Sequence, residues 1–94
     1  MCGVFAIFSK ESINAQHTGI ARELTKLLKH RGPDSDGIWS DKKNGILLGH
    51  TRLAIIDLSE DASQPMERYG INISFNGELY NYKEIKAILE KRGY

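Results

Sequence analysis

Apolar positions along this chain change their period several times, and each change marks an element. Val4 to Phe8 is a short run of branched and aromatic residues, the pattern of a buried strand. Ser9 to Gln16 is polar and turn-like. From Thr18 onward Ile20, Leu24, Leu27 and Leu28 recur at helical spacing, while Lys26 and Lys29 fall elsewhere. That spacing predicts an amphipathic helix ending near His30, ahead of Gly32-Pro33. Arg31 to Gly37, read R-G-P-D-S-D-G, is a tight polar loop in which Pro33 fixes φ and the two glycines permit positive φ.

Three strands are predicted next, over Gly37 to Ser40, Ile46 to His50 and Leu53 to Asp57. Asp41 to Gly45 forms the hairpin turn between the first two, because Asn44-Gly45 favours the twisted hairpin geometry. Leu58 to Gly70, containing Pro65, reads as a longer loop. Ile71 to Phe75 alternates as a strand and breaks at Asn76-Gly77. A second helix is predicted after Asn81: Asn81 and Glu84 have the spacing of a capping box, Tyr82, Ile85 and Leu89 share a face, and Gly93 is the stop. Strand, helix, several strands, helix is the order of an α+β fold with helices packed on sheets. The chain stops just past that final glycine, so the expectation is the front part of a longer domain.

Composition narrows the function classes without choosing one. Ninety-four residues make at most one modest domain, and 40% hydrophobic and 27% charged residues are ordinary for a globular chain. A net charge of +1 gives no reason to expect nucleic acid. No apolar run is long enough to span a bilayer, and the apolar start lacks the basic flank of a signal peptide, so neither a membrane partner nor export is expected. A single cysteine leaves no internal disulfide framework and suits the reducing cytoplasm. His17, His30 and His50 have no metal-ligand spacing, and no metal is expected.

That single cysteine is also the most reactive possibility. Removal of Met1 would leave Cys2 with a thiol and a free α-amine on one residue, a nucleophile and a general base that both ordinarily titrate near neutrality, at about 8.5 and about 7.7–8.0. A thiol attacking an amide also needs donors aimed at the developing oxyanion. Asn76-Gly77 offers a side-chain amide and a backbone N–H on a glycine that permits close approach. Arg52, ahead of the apolar run Leu53 to Ile56, can grip a carboxylate with two parallel hydrogen bonds, and Glu78 can take an ammonium group. Taken singly, each of these residues also has an ordinary reading as a turn or a surface charge. Arg31 and Asp34 are expected to brace their loop. The loop follows a helix C-terminus, which repels anions, so a phosphate role is rejected.

In order, M-C-G at the start, H-R-G-P-D-S-D-G at 30–37, G-H-T-R-L-A-I-I-D at 49–57, Q-P-M at 64–66 and F-N-G-E-L-Y-N-Y at 75–82 resemble the class II, N-terminal nucleophile type of glutamine amidotransferase domain. Within that class the chain is most similar to the amidotransferase half of glutamine-hydrolysing asparagine synthetases. The resemblance implies the front part of a four-layer αββα sandwich with antiparallel sheets. It implies that Cys2 is the nucleophile and Asn76 with Gly77 the oxyanion pair. Arg52 then holds the glutamine α-carboxylate, and Leu53, Ala54, Ile55, Ile56 and Glu78 form the remaining glutamine wall. A further acidic ligand for the glutamine ammonium, the later strands and a synthetase domain acting on aspartate with ATP and Mg2+ are implied beyond residue 94; no cofactor is implied within it.

Two other readings stay open. The stretch can serve as a non-catalytic interaction or assembly module, a homo-oligomer among its forms, since a partial domain leaves sheet edges and apolar surface uncovered. Alternatively, the amidotransferase chemistry serves a different acceptor, such as a sugar.

Overall fold

A computed structural model of the chain describes residues 1–55 and 58–94. It is a mixed α/β structure with two antiparallel sheets and two helices. Strands β1 (Gly3–Phe8), β2 (Ser35–Asp41) and β3 (Ile46–Arg52) form one sheet in the order β1-β3-β2. Helix α1 (Ala15–Leu28) connects β1 to β2. A hairpin of β4 (Met66–Arg68) and β5 (Ile71–Ile73) follows, and then α2 (Tyr82–Lys91).

The register of the main sheet separates two faces. Gly3 lies opposite Thr51, Phe5 opposite Gly49 and Ile7 opposite Leu47. Because successive residues of a strand point to opposite sides, these six share the face covered by α1, while Val4, Ala6, Leu48, His50 and Arg52 share the other. Ile13, Ala21 and Leu47 are buried at the centre of the α1 face, with Phe5 and Ile7 packed against them. At its C-terminal end β3 is buried on both faces: His50, Thr51 and Arg52 are 1%, 0% and 9% exposed. The central strand therefore carries polar residues into the interior where most strands would carry apolar ones.

Several expectations are met and several corrected. The helix of the first half forms, but its buried stripe runs through Ala21, Leu24, Thr25 and Leu28, leaving Ile20 and Leu27 exposed. Small side chains at 21 and 25 suit close packing on the sheet, and the Thr25 hydroxyl is satisfied by donating to the Ala21 carbonyl at 2.9 Å. The helix also starts earlier than predicted. Asn14 caps it by accepting from the Gln16 and His17 backbone N–H groups, while the His17 ring accepts from the Asn14 N–H. At α2 the reverse holds: Asn81 is the cap residue, but its side chain makes no capping bond, so the expected capping box with Glu84 does not form.

The strand expected over Leu53 to Asp57 is absent where it is described. β3 ends at Arg52, the chain leaves the sheet over Leu53 to Ile55, and Ile56 and Asp57 lie outside the described residues. The expected loop from Leu58 to Gly70 contains a short 3-10 turn, Glu60–Ala62, and all of β4. The two-residue connection Tyr69-Gly70, with φ of 53° and 76°, closes the β4–β5 hairpin in the doubly positive geometry that matches strand twist. The predicted 41–45 turn and the Gly93 stop both form, with φ of 69° at Gly45 and 88° at Gly93. Gly32 and Gly37 do not use positive φ; each is a point of close approach. A Cβ on Gly32 would lie 2.3 Å from the Thr51 carbonyl carbon, and one on Gly37 would lie 2.2 Å from the Gln64 oxygen. Among the described residues, no helix is long and apolar enough to cross a membrane.

Candidate active site

Cys2 stands one residue before β1, on the side of the sheet away from α1 by the alternation of that strand. Three contacts fix it. The Thr51 hydroxyl accepts the Gly3 N–H at 3.2 Å and donates to the Leu28 carbonyl at 3.1 Å, joining the first strand, the central strand and the end of α1. Arg31 Nε donates to the Cys2 carbonyl at 3.3 Å. The Leu53 N–H donates to Cys2 Sγ at 3.3 Å, and the thiol lies 3.9 Å from the Leu53 carbonyl oxygen. Both polar groups of the Cys2–Gly3 peptide and the sulfur are held.

The segment that receives the sulfur is itself braced by the R-G-P-D loop. Asp34 donates its N–H to the Arg52 carbonyl at 3.0 Å and accepts the Ala54 N–H on Oδ2 at 2.8 Å. Gly32 lies against the Thr51–Arg52 peptide with no room for a side chain. The bracing expected of Arg31 and Asp34 is present, and its targets are Cys2 and the turn after β3. Arg52 is buried at the end of β3 and donates from Nη1 to the Ser59 carbonyl at 2.7 Å.

A cleft of about 460 Å3 opens on this side of the sheet, a size suited to a small-molecule ligand. Its lining brings together Cys2, Arg52, Leu53, Ile55, Asn76, Gly77 and Glu78, residues drawn from three separate stretches of sequence. Of the other candidates, Ala54 is off the cleft wall with its N–H committed to Asp34, and Ile56 lies outside the described residues. Met1 lies at the cleft beside Cys2. No group of three or more metal-ligating side chains converges among the described residues.

Gln64 and His50 are among the lining residues that the sequence reading does not assign to the site. Gln64 accepts the Phe75 N–H on Oε1 at 2.6 Å, tying the loop before β4 to the residue ahead of Asn76. His50 faces Ser74, its Nδ1 lying 3.0 Å from the Ser74 hydroxyl, with its Nε2 buried and without a partner among the described residues. Burial, and then the positive charge of Arg52, push the His50 pKa below the usual imidazole value, so the ring is neutral near pH 7. The available signal was parity: His50 and Arg52 occupy same-face positions in a strand whose other residues are apolar or small.

Comparison with known proteins finds relatives over the whole chain. Residues 1–94 match the model of the glutamine amidotransferase domain family. The chain is 40% identical over 100 residues to asparagine synthetase [glutamine-hydrolyzing] 1 of Bacillus subtilis, covering 100% of this chain and 15% of that protein. It is 42% identical over 106 residues to a putative asparagine synthetase [glutamine-hydrolyzing] 2 of Methanocaldococcus jannaschii, covering 92% of this chain and 20% of that one. It is also 39% identical over 100 residues to amidase chry2 of Gibberella zeae, covering 95% and 15% respectively. The chain thus spans 15% to 20% of the length of these relatives.

Proposed function

The chain belongs to the glutamine amidotransferase domain family, and from that premise we propose that Cys2 attacks the side-chain amide of glutamine in the cleft beside it. The observation that carries this reading is the convergence of Cys2, Arg52, Asn76, Gly77 and Glu78 on one cleft of about 460 Å3.

Removal of Met1 frees the Cys2 α-amine and clears the residue that stands at the cleft. The amine takes the thiol proton, and the thiolate adds to the glutamine carbonyl carbon. The tetrahedral oxyanion receives hydrogen bonds from the Asn76 side-chain amide and the Gly77 N–H. As the C–N bond breaks, the proton held by the amine passes to the departing ammonia. Water, deprotonated by the same amine, then attacks the γ-glutamyl thioester, releasing glutamate and restoring the thiol. Arg52 holds the glutamine α-carboxylate, and Glu78 lies where it can meet the ammonium. Leu53 has a double position: its side chain is cleft wall, and its N–H steadies the sulfur.

We further propose that residues 1–94 are the N-terminal part of an amidotransferase domain in a cytoplasmic asparagine-synthetase-like enzyme. There the ammonia is passed to aspartate activated with ATP and Mg2+ in a separate synthetase domain. The acceptor is decided outside these residues, since one relative of similar identity is named an amidase. In the full-length protein, Cys2→Ala is expected to abolish glutamine hydrolysis while ammonia-dependent synthesis persists. Undiminished hydrolysis by that variant would contradict the assignment.

A further inference from the structure

His50 has a geometry that packing alone does not explain. It is 1% exposed on the cleft face of the central strand, and one ring nitrogen has no partner among the described residues. An apolar side chain would fill such a position without stranding a polar atom. The other nitrogen, Nδ1, lies 3.0 Å from the Ser74 hydroxyl, which also lies 3.3 Å from the Gly49 carbonyl oxygen. The Ser74 side chain is thus held between two successive residues of β3.

Ser74 directly follows the last residue of β5, and only Phe75 separates it from Asn76-Gly77. Each of these two linking residues is pinned by a side chain, Ser74 by His50 and Phe75 by Gln64. The two pins lead to different places. Gln64 belongs to the loop before β4, whereas His50 lies directly opposite Val4 in the pairing of β3 with β1, two residues from Cys2. The His50–Ser74 bond is thus a short path from the strand paired with β1, which follows the nucleophile, to the segment that carries the proposed oxyanion donors.

We propose that His50 is a positioning residue which, through Ser74, sets the Asn76-Gly77 pair at its working distance from Cys2. The inference rests on the proposed glutaminase reading and adds a residue to it. Oxyanion donors act on the transition state more than on bound substrate, so displacing them lowers kcat and leaves KM nearly unchanged.

The test is steady-state glutamine hydrolysis by the full-length protein and its His50→Leu, Ser74→Ala, double and His50→Asn variants. His50→Leu and Ser74→Ala are each expected to lower kcat by roughly 10- to 100-fold, the scale of a small misplacement of catalytic groups. The double variant is expected to be no slower than the worse single one, because both break the same path. His50→Asn keeps an amide able to donate or accept near the place of Nδ1 and is expected to recover most of the rate. Unchanged kcat in Ser74→Ala, a change confined to KM, or multiplicative losses in the double variant would overturn the proposal. If His50→Leu does not fold, Ser74→Ala and His50→Asn decide alone. A wild-type protein without glutaminase activity would overturn the underlying reading as well, whereas an active wild type with insensitive variants overturns this inference only.

Discussion

At the scale of single residues, the site is built from hydrogen bonds that hold Cys2, the residue after it and the turn beside its sulfur. Thr51 holds the Gly3 N–H, Arg31 the Cys2 carbonyl and Leu53 the sulfur, while Asp34 holds the turn that presents Leu53. Of these, only the bracing by Arg31 and Asp34 was legible in advance, as a general expectation for a polar loop. Thr51 was hidden because a threonine in a strand is ordinary; only the pairing register shows that it faces the first residue after the cysteine. The proposed oxyanion donors carry the clearest residue-level prediction. Asn76→Ala removes the proposed side-chain donor and keeps Gly77. Its kcat for glutamine hydrolysis is expected to fall by about 10²- to 10³-fold, the usual cost of one such donor. A kcat within a few-fold of wild type would remove Asn76 from that role.

The elements show where local pattern is enough and where it is not. β1, β3, both helices, the 41–45 turn and the Gly93 stop follow from periodicity and turn chemistry, which are local. β5 falls within the strand expected over Ile71 to Phe75, whereas its hairpin partner β4, three residues long, is too short to display a period. Leu53 to Ile55 were assigned to a strand because apolar residues continue past Arg52. Their backbone is instead spent on Cys2 and Asp34, a tertiary use that no window of sequence contains. The same contrast separates two glycines. Gly32 lies against the Thr51 backbone, so Gly32→Ala forces the R-G-P-D loop away from β3. It is expected to cost about 1–3 kcal/mol or more and to impair hydrolysis, since Arg31 moves with the loop. Gly19 lies within α1 with open space around it, so Gly19→Ala is expected to raise stability by up to about 1 kcal/mol and leave activity alone. Denaturant midpoints of the two variants, compared with wild type, check both signs.

For the whole molecule, the consequence of a polar interior is a dependence on pH. His50 is depressed below its ordinary value by burial and by Arg52, and Asp41 below its own by the side chain and backbone of Asn44. In both cases the unfolded chain binds the proton at a higher pH than the folded one. The stability these groups contribute is present above their unfolded values, near 6.5 for His50 and 3.8 for Asp41, and is lost as pH falls through the folded ones. The denaturant midpoint is therefore expected to drop between about pH 7 and about pH 5, and His50→Asn or His50→Leu should flatten that first step. The cleft face and the hairpin beyond it also carry much exposed apolar surface, with Ile55, Leu58, Ile71 and Tyr80 all more than two-thirds exposed.

The central claim, that Cys2 is an N-terminal nucleophile in a glutamine pocket, is met most directly by intact mass of the full-length protein before and after a glutamine-mimicking diazoketone. The expected result is a protein lacking Met1 that gains a single adduct on Cys2, with labelling suppressed by excess glutamine and absent in Cys2→Ala. Retained Met1, or an adduct that glutamine does not suppress, would contradict the account.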